Sequence, residues 1–554
     1  MTIHDAVEES PQSSPPAQVG TRAVGAIGGA ALILMAANLS GSILGSLRLA
    51  VIFAVYGEHR VTNAFLAASL IPQMFYDLTI GAAVSAALIP TFTEIAERRG
   101  TRALAETVGT VLGIAWVVLG SVTVVLFFVV RPLMSAVLLV NSPPGSTPGI
   151  NDATAMARII IFSLFFLGTS AVLLSALYAV RRFAVSAFAA GLYHVGVMVG
   201  AVVLARPLGL AALPIGAVIG SAAQAAVQIP VLLRTIGRPN LRIRLNTEVR
   251  RILRLYAPVA AGLVVSVVGQ IVDLNFKFRS GGYAALQAAT ALTQFPIGIA
   301  VAGLSFAILP TISSDAAFSR IAEFKDTLAS GIRVVLFLTI PAAVGYIALA
   351  TPIVTLVFQR GHVTHINSIN TALALTGYAI QIPFVGIDQL LIFAFYARKN
   401  TVTPMVVGIL GVTIYVGSAL VLLPRYHVFG LALANTIQNS LHALILLVLM
   451  IMAVGLPHGA GLLRGIARTC LAAAAMAMAA ALSLNVLTAY LGNHSALSRL
   501  AEGLLPVVGG LCVYLLIAAL LRSDELRLLI QVARSRFRQQ PGAASESSSA
   551  TPGR

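Results

Sequence analysis

A handful of ionisable side chains stand inside stretches that are otherwise apolar: Arg48, Asp77, His194, Asp388, and Asp273 with Lys277 four residues on. A charge in hydrocarbon costs several kcal/mol unless it faces a cavity, water or a partner, so such positions mark either a site or an ion pair. Arg48 offers a planar fork of donors suited to phosphate oxygens, whereas Asp77 and Asp388 suit a bound cation or proton. Arg48 and Asp77 fall on consecutive, oppositely running segments whose depths differ by roughly 9 Å at 1.5 Å per residue. A structural pair and a cavity lining both remain open for them. Asp77 and Asp388 are the candidate ion-coupling positions, Asp388 having as its alternative a packing hydrogen bond to Gln389 or a neighbour. Asp273 and Lys277, spaced i and i+4, are expected to pair locally at the water interface. His194 is expected to be a satisfied core histidine, with proton carriage as the alternative. Gly41 and Gly45, one turn below Arg48, predict a close helix crossing there.

The elements that hold these residues follow from composition. With 58% hydrophobic and 10% charged residues and a mean hydropathy of +0.92, the chain has too much apolar surface for a water-soluble globule. Segments of about 20 or more residues with few charges predict fourteen transmembrane helices, near 27–56, 63–90, 104–130, 156–180, 184–205, 208–233, 252–276, 285–312, 331–350, 368–396, 403–424, 428–453, 463–490 and 501–521. The sequence also repeats itself. Arg131-Pro-Leu133 returns as Thr351-Pro-Ile353, Tyr178-Ala179 as Tyr396-Ala397, Gly209-Leu-Ala211 as Gly430-Leu-Ala432, and Ser85–Thr91 as Ser305–Thr311, at offsets of about 220 residues. Six helices return the chain to its starting side, so the halves are expected to be parallel repeats around a central cavity.

The expected organisation is therefore an all-α polytopic membrane protein. It comprises a polar cytoplasmic tail at 1–26, an N-lobe at 27–233, a basic cytoplasmic linker at 234–251, a C-lobe at 252–453, a C-terminal helix pair at 463–521, and a partly disordered tail at 522–554. The first span is expected to act as an uncleaved insertion signal, because residues 1–25 lack a basic n-region. Of the 36 Lys and Arg, 26 fall on the tails and even-numbered connections and nine on the other side. This asymmetry predicts both termini in the cytoplasm. It also makes anionic phospholipid headgroups, rather than nucleic acid, the partner of the net +17 charge.

The chain contains no Walker loop, no His-Glu-x-x-His and no Gly-x-Ser-x-Gly, so a transporter without nucleotide hydrolysis is expected in place of an enzyme. Cys470 and Cys512 lie in apolar spans without a histidine cluster and are expected to pack as small hydrophobes, with no metal and no cofactor. Trp116 is expected at the lipid face or interface.

Thr62-Asn-Ala-Phe-Leu-Ala-Ala-Ser-Leu-Ile-Pro72, Ala307-Ile-Leu-Pro310, Phe358-Gln-Arg-Gly361-His-Val-Thr364 and Phe395-Tyr396-Ala-Arg398-Lys-Asn-Thr-Val-Thr403-Pro404 together resemble the MurJ (MviN) family of lipid II flippases. The resemblance covers roughly residues 30–525. It implies alternating access between two lobes of the multidrug/oligosaccharidyl-lipid/polysaccharide exporter superfamily. A lipid-linked substrate would present its diphosphate and sugar-peptide headgroup to a cationic cavity, its tail lying beside the last two helices. It further implies a bacterial inner membrane and cell-wall synthesis machinery as a partner, while the lack of hydrolysis motifs leaves membrane potential, a cation gradient or the substrate gradient as the expected energy source. Arg48 matches a cavity arginine of the family, and on this resemblance Asn63, Gln73 and Gln294 are the neutral polar groups expected to share the cavity with Arg48 and Asp77. Ser42, Asn63, the Tyr76-Asp77 pair and Ala291 depart from the family pattern, standing where family members carry arginine, an acid, two arginines and arginine. Two other readings stay open: export of another lipid-linked saccharide, a phospholipid or a cation-coupled drug, and a non-transporting cell-wall scaffold.

Overall fold

In the computed structural model the described residues are 21–57, 60–76, 87–138, 149–241, 250–252, 269–307, 312, 315, 320–359, 365–398, 400–455, 461–491, 496–527 and 530, and every regular element among them is helical. The first half comprises α1 (Thr21–Tyr56), α2 (Arg60–Tyr76), α3 (Ile89–Leu138), α4 (Ile150–Ile160), α5 (Phe162–Ala179), α6 (Phe183–Ala189), α7 (Gly191–Val199), a π-turn at Gly200–Leu204, α8 (Ala205–Leu208) and α9 (Ala212–Ile236). The second half comprises α10 (269–279), α11 (Tyr283–Ala307), α12 (Ile321–Ala348), α13 (Ala350–Phe358), α14 (His365–Ala379), α15 (Ile382–Ala397) and α16 (Val402–Val454). A final pair, α17 (Gly461–Leu491) and α18 (Ala496–Leu520), packs on α12 and α13.

Helices are dictated by the solvent. Hydrocarbon supplies no hydrogen-bond partners, so each backbone amide must be satisfied within its own segment. Long elements fold back on themselves: the 53 residues of α16 would extend about 80 Å, well over twice a hydrocarbon core of about 30 Å. The reversal occurs at His427, where φ is +47° and ψ −123°. Exposed apolar side chains such as Phe128, Val202, Leu420, Met478 and Leu516 cover the outer surface. Cys470 and Cys512 are exposed free thiols on that surface, not packed small hydrophobes; both sit on outward faces of α17 and α18. Trp116 is 37% exposed and its indole N–H donates to Thr169 at 3.0 Å.

The sequence repeat is written into the backbone corners. Gly57 and Gly281 each turn with φ +71°, Gly237 and Gly455 with +84° and +85°, and Gly209 and His427 with +52° and +47°. Each pair is separated by about 220 residues, the spacing of the sequence repeat. The break between α4 and α5 at Ile161 likewise recurs between α14 and α15 at Gln381, where the helix bends by 44°.

The predicted crossing at Gly41 and Gly45 is not a tight one. Among the described residues no atom lies within 4 Å of a Cβ placed at Gly41, and Gly45 meets the His194 ring at 3.8 Å. The close approach belongs to α7 and α9, where a Cβ at Gly200 would lie 2.9 Å from the Gly216 Cα and one at Gly220 would lie 2.7 Å from the Leu192 carbonyl oxygen. Small-residue spacing permits close contact, but the neighbouring helix decides whether it is used.

The halves meet along α1 and α2 against α11 and α13. At the end away from the basic connections the seam is apolar: Leu49, Ile52 and Phe53 are buried in a cluster with Phe65, Phe358 and Leu375, and the Phe53 and Phe358 rings lie 5.5 Å apart. One corner carries a side chain where a glycine is easier, because His427, three residues before the Gly430 that repeats Gly209 in sequence, adopts the positive-φ turn that Gly209 makes without a Cβ. His427→Gly is expected to stabilise the purified protein by about 1 kcal/mol and His427→Val to destabilise it, as read by thermal unfolding in detergent.

Candidate functional site

Arg48 projects from α1 near the seam, and its guanidinium lies over the Tyr193 ring of α7, 5.7 Å from the centroid. Its Nε is buried without a hydrogen-bond partner. Three other buried polar atoms on helices of the first half share that condition: the Tyr56 hydroxyl at the end of α1, Asn63 Oδ1 on α2, and His194 Nδ1 on α7. Native interiors rarely leave such groups unpaired, so each is a candidate for a polar partner; Thr91, Thr123, Ser186, Gln228 and Glu502 elsewhere in the bundle carry such atoms as well. His194, expected to be satisfied in the core, is instead one of these unpartnered groups; the ring is held by its neighbours Gly45 and Tyr193, leaving Nδ1 facing no acceptor or donor.

Across the seam, Gln294 is exposed on α11. A Cβ at Gly298, one turn along the same face, would lie 4.0 Å from Ser42 Oγ on α1. Counting about 1.5 Å per residue outward from that contact, Gln294 and Arg48 stand within roughly 3 Å of one depth. Asn63 is 6% exposed, and Gln73, also on α2, is exposed. Asp77 lies outside the described residues, as do Pro310 and Gly361.

Other cations that could have enriched this site are engaged elsewhere. Arg60 donates from Nε to Asp152 at 2.8 Å and is largely exposed. Lys277 pairs with Asp273 at 2.6 Å, as the spacing predicts; the two side chains are 13% and 30% exposed, and Tyr415 also donates to the Asp273 carboxylate at 2.6 Å. Arg279 stacks on Phe276. The i, i+4 rule found the pair but could not foresee that α16 would fold across it.

Asp388 on α15 is hydrogen-bonded, but not through Gln389. Its Oδ1 lies 2.6 Å from His442 Nδ1 on the second leg of α16, with the two side chains 15% and 14% exposed. His442 escaped the sequence reading. A signal existed: Asn435, Gln438, Asn439 and His442 form an i, i+3, i+4, i+7 polar stripe in an otherwise apolar helix.

The most specific sequence motif proves architectural. Arg398 lies over the Phe324 ring at 5.9 Å. The Asn400 side chain accepts from the Thr403 amide at 3.1 Å and donates to the Thr403 hydroxyl at 2.9 Å, fastening the turn from α15 into α16. Pro404 occupies the first turn of α16, where its missing N–H costs nothing, and Tyr396 is exposed. Pro72 is buried inside α2.

Comparison with known proteins gives a consistent picture. The family model described as "Lipid II flippase MurJ" matches residues 52–502. A "Probable lipid II flippase MurJ" of Bdellovibrio bacteriovorus is 27% identical over 428 residues, covering 76% of this chain and 81% of that one. The "Lipid II flippase MurJ" of Burkholderia cenocepacia is 26% identical over 426 residues, covering 74% and 81%. Among solved structures, "Lipid II flippase MurJ, inward closed conformation" superposes with a TM-score of 0.71 at 21% identity, covering 89% of this chain and 99% of that chain. An inward-facing multidrug resistance MATE transporter of the MOP superfamily superposes at 0.63 with 11% identity, covering 76% and 98%. These likenesses establish a shared helical architecture.

The two ion pairs differ in burial, and their contributions should differ accordingly. Lys277→Met, which strands the Asp273 carboxylate, is expected to cost about 3 kcal/mol. Arg60→Met, which breaks an exposed pair, should change stability by less than about 1 kcal/mol in the same denaturation assay.

Proposed function

This chain belongs to the lipid II flippase MurJ family, and from that premise we propose that it moves lipid II, a polyprenyl-diphosphate-linked peptidoglycan precursor, from the inner to the outer leaflet of a bacterial cytoplasmic membrane. The observation that carries the site assignment is the buried, unpartnered Nε of Arg48 at the seam between the halves. A diphosphate cannot cross hydrocarbon bare, and a guanidinium supplies parallel donors to its oxygens. Asn63 and Gln294 add neutral polar contacts for the sugar-peptide headgroup, while the polyprenyl tail remains in lipid beside α17 and α18.

The basic end of the bundle is taken as cytoplasmic, with both termini there, where its arginines meet anionic phospholipids. The Phe53–Phe358 contact then seals the outer side. Alternating access exchanges that seal for one at the inner side as the halves rock about α1 and α11. Nothing in this cycle calls for nucleotide hydrolysis, and its energy comes from membrane potential or a cation gradient. Cell-wall synthases, which consume the precursor on the outer side, are the natural partners.

Complementation tests the assignment: the native lipid II flippase is depleted in a bacterium, this chain is expressed, and survival and surface exposure of the precursor are followed. Rescue is expected, with Arg48→Lys lowering the flipping rate about tenfold or more because a point charge replaces the fork. Full activity of Arg48→Lys in a correctly inserted protein would overturn the phosphate role of Arg48. The motion has its own test. With Cys470 and Cys512 replaced by Ala, a Ser42→Cys/Gly298→Cys pair should cross-link on oxidation, arrest flipping, and recover it on reduction. Unimpaired flipping by the cross-linked protein would rule out opening along this seam.

A further inference from the structure

We infer that Asp388 and His442 form a single proton-binding site in the second half whose occupancy is coupled to substrate movement; the inference rests on the transport reading above. The pair lies about ten residues from Arg398 along α15, and thus about 15 Å inside the bundle from the basic end. Its two side chains touch at 2.6 Å and are largely shielded. The other side of the imidazole is hydrogen-bonded to the Pro404 backbone. Two glycines of the first leg of α16 make room for the ring: a Cβ at Gly411 would lie 3.7 Å from its Cδ2 and one at Gly408 3.9 Å from its Nε2. His442 is therefore clasped between both legs of α16 and α15.

One proton shared by this pair leaves it uncharged overall, whether written as imidazolium and carboxylate or as imidazole and carboxylic acid. Removing that proton leaves a net negative charge in a low-dielectric bundle, which is costly unless water enters. Protonation therefore favours the arrangement in which the helices close on the ring, and deprotonation the arrangement in which the pair is hydrated. That is the differential interaction a coupling ion requires. Asp388 is the one ionisable side chain that acts on His442 among the described residues. Of the packed elements, α11 carries no ionisable residue but Tyr283 at its far end. Helix α12 carries Glu323, Lys325 and Asp326 in its first turns, Arg333, which turns to Glu525, and Tyr346, which donates to the Leu292 carbonyl. Helix α14 carries His365 and Tyr378, and Tyr415 of the first leg of α16 donates to Asp273.

The pair is not isolated in an apolar core. Asn439 donates to Gln381 at 2.7 Å and to Asn435 at 3.2 Å, and Thr436 donates to the Gly377 carbonyl at 2.7 Å. These groups continue the polar stripe from His442 toward the end opposite the basic one, past the bend at Gln381. A polar track that crosses a bend in the helix is a route by which water reaches the pair when α14 and α15 shift. A purely structural hydrogen bond would need neither titratable group, since an amide pair bridges the same gap.

The experiment uses the full chain in liposomes with a fluorescent polyprenyl-diphosphate saccharide as probe, the membrane potential clamped at zero and a pH gradient imposed. One coupled proton and a gradient of about one unit should shift the probe's leaflet distribution about tenfold. The Asp388→Asn/His442→Gln variant keeps a hydrogen-bonded pair and should still flip the probe, but to a distribution that no longer follows the gradient. Asp388→Glu, which retains a carboxyl group, should restore part of the response. If the parent chain flips the probe without responding to the gradient, or if the double variant responds as the parent does, the proton site is overturned while the flippase reading stands. If the parent chain does not flip the probe at all, the transport reading falls and this inference with it.

Discussion

Hydrocarbon accepts no hydrogen bonds, and nearly every feature of this protein answers that constraint. Backbone amides are satisfied within helices. Threonine and serine hydroxyls fold back onto the carbonyl one turn earlier, as Thr107, Thr110, Ser175 and Thr339 do. Charged groups are held by partners, as Lys277 is by Asp273 and Arg333 by Glu525. Against that background the Arg48 Nε is a buried donor without a hydrogen-bond partner, which is the observation behind the proposed phosphate contact.

Duplication solved the positioning problem economically. The same turn conformations recur at Gly57 and Gly281, at Gly237 and Gly455, and at Gly209 and His427, so each half closes through the same corners. The halves then diverged in chemistry. The first half presents Arg48, Tyr193 and His194 at the seam, while the second carries the Asp388–His442 pair and its amide stripe within its own interior. The proposed anion contact at Arg48 and the proposed proton site at Asp388 and His442 thus lie in different halves, so neither would compete directly with the other.

Apolar contact sets where the halves hold together. The buried cluster that includes Phe53 and Phe358 runs continuously from α1 through α13 and α14 into α16. The C-terminal pair has its own contact, with Phe337 against Tyr514 and the tyrosine hydroxyl donating to the Phe337 carbonyl at 2.7 Å. Side-chain packing of this kind, not hydrophobic exclusion, binds helices once all are in lipid.

The sequence by itself determined that the chain spans a membrane, that its elements are helices, and that it is doubled, because hydropathy and spacing are local properties that survive without coordinates. It also marked Arg48 and Asp388 as groups too costly to be incidental. Tertiary structure alone decided their partners. Asp388 pairs with His442, 54 residues away, and Asp273 accepts a hydrogen bond from Tyr415 of α16 besides its pairing with Lys277, because helices distant in sequence become neighbours only when the bundle closes. The same holds for glycine: Gly41 and Gly45 had the spacing for a close crossing, yet α7 and α9 made it through Gly196, Gly200, Gly216 and Gly220. Residue type states what a position can do, and the packed neighbours select which of those possibilities is used.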